Sequence, residues 1–137
     1  MQKRFVMCAA ILLTASACGH SPTIEPPRTV RQVEIGDTVQ PQLLYAKPGE
    51  EVRWRNVRSA PVNLGFLTTS LLKDLSCQNG VVTMFGEVKD FISIPPQTSV
   101  SVCFVRPGEL KYNVWLNPEN PRGAITPTAT IRVEAEG

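Results

Sequence analysis

From Thr29 onward, apolar and polar residues alternate in short runs separated by turn residues. Alternation with a period of two sends successive side chains to opposite faces of a strand. The runs predict strands over Thr29–Ile35, Val39–Ala46, Glu51–Val57, Val62–Leu67, Val81–Phe85, Asp90–Ile94, Ser99–Val105, Leu110–Leu116 and Ala129–Glu134. In these runs Val52, Trp54 and Asn56 share a face, as do Val100, Val102 and Phe104, and Leu110, Tyr112, Val114 and Leu116. Thr69–Leu75 alone has helical spacing, with Leu71, Leu72 and Leu75 on one side. Lys47-Pro48-Gly49-Glu50 and Arg106-Pro107-Gly108-Glu109 are predicted tight turns, with proline setting φ and glycine accepting a positive φ. Many short strands with such punctuation predict an antiparallel β-sandwich holding at most one short helix.

The first residues follow a different pattern. Two cations, Lys3 and Arg4, precede an apolar stretch from Phe5 to Leu13 and the small residues Thr14-Ala-Ser-Ala before Cys18. This is the layout of a bacterial secretion signal, too short to stay in a bilayer as a helix. The residues before Cys18 resemble a lipobox, which implies cleavage after residue 17 and acylation of Cys18. Residues 1–17 are therefore expected to be signal peptide and 18–28 a lipidated, proline-rich tether. Residues 29–137 are the folded domain. Gly19 after the lipid site is compatible with sorting to an outer membrane, facing the periplasm.

Charge and cysteine content follow from that cleavage. About 120 of the 137 residues remain, enough for one domain and its tether. Of 14 Lys and Arg, Lys3 and Arg4 leave with the signal, so basic and acidic side chains balance at 12. Arg53, Arg55 and Arg58 form no sustained basic field, which argues against nucleic-acid binding. Cys8 is lost and Cys18 carries lipid, leaving Cys77 and Cys103 as an even pair in an oxidising compartment. A structural disulfide is expected. The competing use, a redox or soft-metal thiol pair, lacks Cys-x-x-Cys spacing and a nearby histidine.

Pro48-Gly49-Glu50-Glu51-Val52-Arg53-Trp54-Arg55-Asn56 resembles the Pro-Gly-x-x-Val-x-Trp-x-Asn strand of cupredoxins, the blue-copper sandwich proteins. Pro107-Gly108-Glu109-Leu110-Lys111-Tyr112-Asn113-Val114 looks like the later stretch that carries the copper thiolate, and Ala129–Val133 like the closing strand. The resemblance implies a cupredoxin-like Greek-key β-sandwich over roughly residues 30–134. It also implies ligand positions, and there the residues depart from the family. Val62 stands at the first histidine position and Val114 at the cysteine position. The second histidine maps near Asn117 or Pro118, and the methionine to 124–126. A type-1 centre needs two imidazoles and a thiolate, whereas the single histidine, His20, lies in the tether. No metal site, cofactor or copper centre is expected.

Other candidate chemistry is sparse. Met84 reads as core, and Trp54 and Trp115 as sheet residues, with Trp115 beside Asn117-Pro-Glu-Asn-Pro121 a candidate partner contact. Glu87, Asp90 and Glu109 would support catalysis only if they converged. No histidine is available in the domain as a general base. The expected role is a non-catalytic, membrane-anchored envelope module with a protein partner at loops 58–66 and 117–127. The alternative is copper handling or electron transfer at an atypical site, which requires Cys77 and Cys103 to be free thiols.

Overall fold

The computed structural model describes Gly19 and residues 26–81, 83–84, 87–88, 91–120 and 122–136. The expected signal segment, Cys18, His20 and Asp90 lie outside the described residues, as do the side chains of Met84 and Glu87. The strands run β1 (Val30–Ile35), β2 (Val39–Gln40), β3 (Leu43–Ala46), β4 (Glu51–Asn56), β5 (Val62–Phe66), β6 (Leu75–Asn79), β7 (Thr83–Met84), β8 (Glu87–Val88), β9 (Phe91–Ile94), β10 (Ser99–Phe104), β11 (Gly108–Trp115) and β12 (Ala129–Val133). Two five-stranded sheets, ordered β2-β1-β4-β10-β6 and β3-β12-β11-β5-β9, stack face to face, and β7 and β8 form a separate ribbon.

Alternation sets which residues meet between the sheets. Val33, Ile35, Val52, Trp54, Val102 and Phe104 come from the first sheet, and Leu64, Ile94, Leu110, Tyr112, Val114 and Ile131 from the second. Trp54 meets Phe66 and Tyr112 edge-on, with centroids at 6.0 and 5.7 Å, the arrangement that ring quadrupoles favour. Burial pushes the Tyr112 hydroxyl up to about 12, opposed weakly by the Trp54 indole N–H. These two polar atoms lie together in the core without a well-formed hydrogen bond.

Several expectations are corrected. The sheets are mixed rather than antiparallel: β1 runs parallel to β4, and β12 to β3. The run Val39–Ala46 is two strands, because the chain leaves the first sheet after β2 and joins the second at β3. Pro41 stands at the break, where its missing N–H is compatible with the end of a ladder. Crossing between sheets lets β4 return beside β1 in the same direction. The helix expected over Thr69–Leu75 is a single 3-10 turn, Ser70–Lys73, which buries Leu71 and Leu72. Leu75 instead opens β6, a strand not predicted, which pairs with β10. Of Val81–Phe85, only Thr83–Met84 is strand among the described residues.

The two Pro-Gly pairs also differ. At the first, Gly49 takes φ +86° and the Glu50 N–H donates to the Lys47 carbonyl at 3.1 Å, a tight turn as expected. At the second, Gly108 already pairs with Val133 in β11. Its missing Cβ admits Leu71, whose Cδ2 would lie 2.7 Å from one. Cys77 and Cys103 are bonded across β6 and β10, with Cα atoms 4.8 Å apart. Arg28, expected in the tether, lays its guanidinium 3.4 Å from the Cys103 sulfur.

Candidate functional site

The end of the sandwich where β4 finishes, β5 begins and β11 finishes carries the positions of the expected copper ligands. Asn56 organises one side of it. The amide nitrogen of this fully buried side chain donates to the carbonyls of Ala60, Ile94 and Pro95 at 2.9, 3.0 and 3.2 Å. Its oxygen accepts the Arg58 N–H at 2.9 Å. One residue thereby ties the loop after β4 to the turn between β9 and β10. An inward polar residue at the end of an apolar strand face was the signal for it, since a buried amide needs partners.

The other side is closed by the chain between β11 and β12. Val114 exchanges hydrogen bonds with Thr126: its N–H donates to Thr126 Oγ1 and its carbonyl accepts the Thr126 N–H, both at 2.9 Å. Leu116 N–H donates to the Ala124 carbonyl at 2.9 Å, and Trp115 bridges Ile125. At the tip, the Asn120 N–H reaches the Asn117 carbonyl at 3.1 Å and the Gly123 N–H reaches the Asn120 carbonyl at 2.7 Å. The loop is a tied hairpin whose shape is set by its own backbone.

Between the two loops lies a cleft of about 360 Å³, lined by Arg58 and Pro61 on one wall and Leu116, Asn117, Pro118 and Glu119 on the other. Arg58 donates through Nη1 to Asp37 Oδ1 at 2.7 Å and to the Gly36 carbonyl at 3.2 Å. Its Nε is buried without a partner among the described residues. A second hollow of about 330 Å³ lies against the same guanidinium, bounded by Gly36, Asp37 and Ser59.

These residues do not fit copper. Val62 and Val114 are wholly buried hydrocarbon at the mapped ligand positions, and Thr126 spends its hydroxyl on the Val114 N–H. Asn117 and Pro118 line the cleft as surface residues. Both domain cysteines are consumed by the disulfide, which removes the thiolates that the copper-handling alternative requires. Among the described residues there is no group of three His, Cys, Asp or Glu side chains that could hold a metal ion.

Of the expected carboxylates, Asp90 and the Glu87 side chain lie outside the described residues, and Glu109 lies away from this end. Glu109 sits at the start of β11, at the far end of that strand, bonded to Arg132 at 3.0 Å and Lys111 at 3.5 Å. The Arg132 hydrogen bond is the main cause that holds its carboxyl below the usual range. Arg53 pairs with Glu51 at 2.8 Å, and Arg58 with Asp37. Trp115 lies on the outer face of the second sheet, tilted against Phe91 with centroids 4.9 Å apart. Gly65, a mid-strand glycine whose significance the sequence pattern did not reveal, lies beneath that ring.

The sequence matches no protein-family model and no curated protein. As a fold, however, the domain is similar to solved structures of amicyanin. A reduced tryptophan-to-tyrosine variant of amicyanin superposes with a TM-score of 0.52 at 18% identity, covering 80% of this chain and 87% of that one. A Cu(I) methionine-to-glutamine variant gives 0.50 at 20% identity, covering 77% and 82%. The architecture is therefore a cupredoxin-like all-β sandwich.

Proposed function

We propose that the protein is an envelope lipoprotein, anchored through acylated Cys18, whose copper-free cupredoxin-like domain is a non-catalytic binding module. The observation that carries this reading is the rebuilt loop end. Val62 and Val114 pack as core where the family would place ligands, and the space between loops 58–61 and 116–119 is a shaped cleft. A tied hairpin and a buried amide hold that cleft in one form, and preorganisation of this kind lowers the entropy cost of docking a partner. The anchor would leave the proline-rich tether to present this surface outside the cytoplasm.

Intact mass spectrometry of protein taken from membranes tests the anchor: a lipid-sized mass increment at Cys18 supports it, and an unmodified or absent Cys18 overturns it. The partner surface is tested by a photo-crosslinking residue placed at Asn117 or, as control, at Lys73 beside the far end of β11. A discrete protein adduct from Asn117 and none from Lys73 supports the reading. Equal labelling from both positions, or none, refutes the loop end as the partner surface.

A further inference from the structure

We infer that the Cys77–Cys103 bond is a site of thiol–disulfide exchange with a fixed polarity: the thiolate of a dithiol protein attacks Cys77, and Cys103 leaves. The two cysteines are directly opposite on neighbouring strands, so the bond spans the ladder from β6 to β10. An attacking thiolate approaches a disulfide in line with the S–S bond, from the side away from the leaving sulfur. Each sulfur is therefore open to attack from one direction. For Cys77 that direction is the open edge of the first sheet, because β6 is its last strand and no other described strand pairs beyond it. For Cys103 it is the interior of the sheet, on the side of β4.

The surroundings of the two sulfurs differ in the same sense. Cys77 is half-buried, whereas Cys103 is wholly buried. Arg28 precedes β1, and its side chain reaches across β4 to the strand beyond. There its Nη1 donates to the Cys103 sulfur at 3.4 Å. The guanidinium also lies close enough to Glu51, the residue opposite Cys103, to help hold that carboxyl ionised. Burial closes the approach to Cys103, and the open edge exposes Cys77.

The cation favours departure of Cys103. A thiolate leaves a disulfide faster as its thiol pKa falls, and an adjacent guanidinium lowers that pKa. In the first step the partner's thiolate bonds to Cys77 Sγ, the S–S bond breaks, and its electron pair stays on Cys103 Sγ beside Arg28. In the second step the partner's other thiol, having lost its proton to water, attacks its own sulfur in the mixed disulfide. Cys77 then leaves as a thiolate and takes up a proton. Two electrons pass from the dithiol to this domain, and the partner ends as a disulfide. The pair has neither Cys-x-x-Cys spacing nor a nearby histidine, and Arg28 supplies the cation that both would lack. The exchange requires neither the lipid anchor nor the loop-end cleft.

Oxidised full chain, treated with reduced glutathione under native conditions, quenched in acid and mapped by peptide mass spectrometry, tests this. The mixed disulfide is expected on Cys77, with Cys103 a free thiol in the same molecules and a rate proportional to glutathione concentration. Arg28→Gln should slow the reaction about tenfold, and Arg28→Lys, which keeps the charge, should restore most of the rate. A merely structural Arg28 gives the opposite sign, because a destabilised variant opens more often and is reduced faster. Glutathione on Cys103, or on both cysteines alike, overturns the proposal. So does a rate independent of glutathione concentration, which marks reduction through unfolding, or an Arg28→Gln variant reduced as fast as wild type or faster. The mass increment at Cys18 and the crosslinking from Asn117 read other residues, so either proposal can fail alone.

Discussion

Replacing Asn56 tests whether a single buried amide holds the loop end together. In Asn56→Ala, the Ala60 carbonyl loses its donor and the Arg58 N–H its acceptor, while the Ile94 carbonyl keeps the Val62 N–H, its antiparallel ladder partner. Pro95 is spared, because the Thr98 N–H and hydroxyl both still reach its carbonyl, at 3.3 and 2.9 Å. Two orphaned groups at about 1 kcal/mol each give a loss of about 2 kcal/mol, or about 8 °C in Tm for a domain of this size. Asn56→Asp keeps the shape but turns a donor into an acceptor facing carbonyl oxygens, so its carboxyl should have a raised folded pKa. For an acid raised on folding, the unfolded chain releases its proton first as pH increases, and stability falls from the unfolded pKa upward. The Asp variant should therefore be less stable than the Ala variant at pH 7 and recover relative to wild type as pH falls towards 4. Urea unfolding of the three proteins across that range checks it. A loss under about 1 kcal/mol for Ala, or a pH-independent deficit for Asp, would show that the network does not hold the loops.

Other outcomes follow from the same structure. Reducing Cys77–Cys103, which closes a separation of 26 residues, should lower unfolding stability by about 3.5 kcal/mol; equal guanidinium midpoints with and without reductant would contradict that. Hydrogen bonds from Arg31, Arg53 and Arg132 hold Glu50, Glu51 and Glu109 below the usual carboxylate range. Their stabilisation is present above the ordinary glutamate pKa and lost as pH falls through the lowered folded values. Glu50→Gln should accordingly flatten the acid limb of the urea midpoint between pH 5 and pH 3, and an unchanged limb would refute its share. Ultraviolet titration should show Tyr112 ionising only near pH 12, while stability declines above about pH 10, where the unfolded tyrosine ionises first. A Tyr112 phenolate signal near pH 10, with the protein still folded, would contradict the burial argument.

What the sequence by itself determined is local or compositional. Alternation over Glu51–Asn56 and Ser99–Phe104 was enough to divide inward from outward side chains, because the pleat permits one division only. Valines at positions 62 and 114 and the lack of histidine in the domain argue against type-1 copper from the sequence itself, since hydrocarbon has no lone pair to donate. An even pair of domain cysteines pointed to a disulfide. The tertiary structure decided the rest. Ladder direction depends on where the chain crosses between sheets, which period-2 patterning does not encode, so the expectation of an antiparallel sandwich missed the parallel pairing of β1 with β4 and of β3 with β12. Leu71, Leu72 and Leu75 suggested a helix, but Leu75 gains more from pairing with β10 than from another helical turn, and local propensity yielded to the ladder. Gly65 looks ordinary in sequence, and Asn56 shows there only as a polar residue on an apolar strand face. Their roles come from partners far along the chain, Ile94 and Pro95 for one and Phe91 and Trp115 for the other, which only the folded register brings within reach.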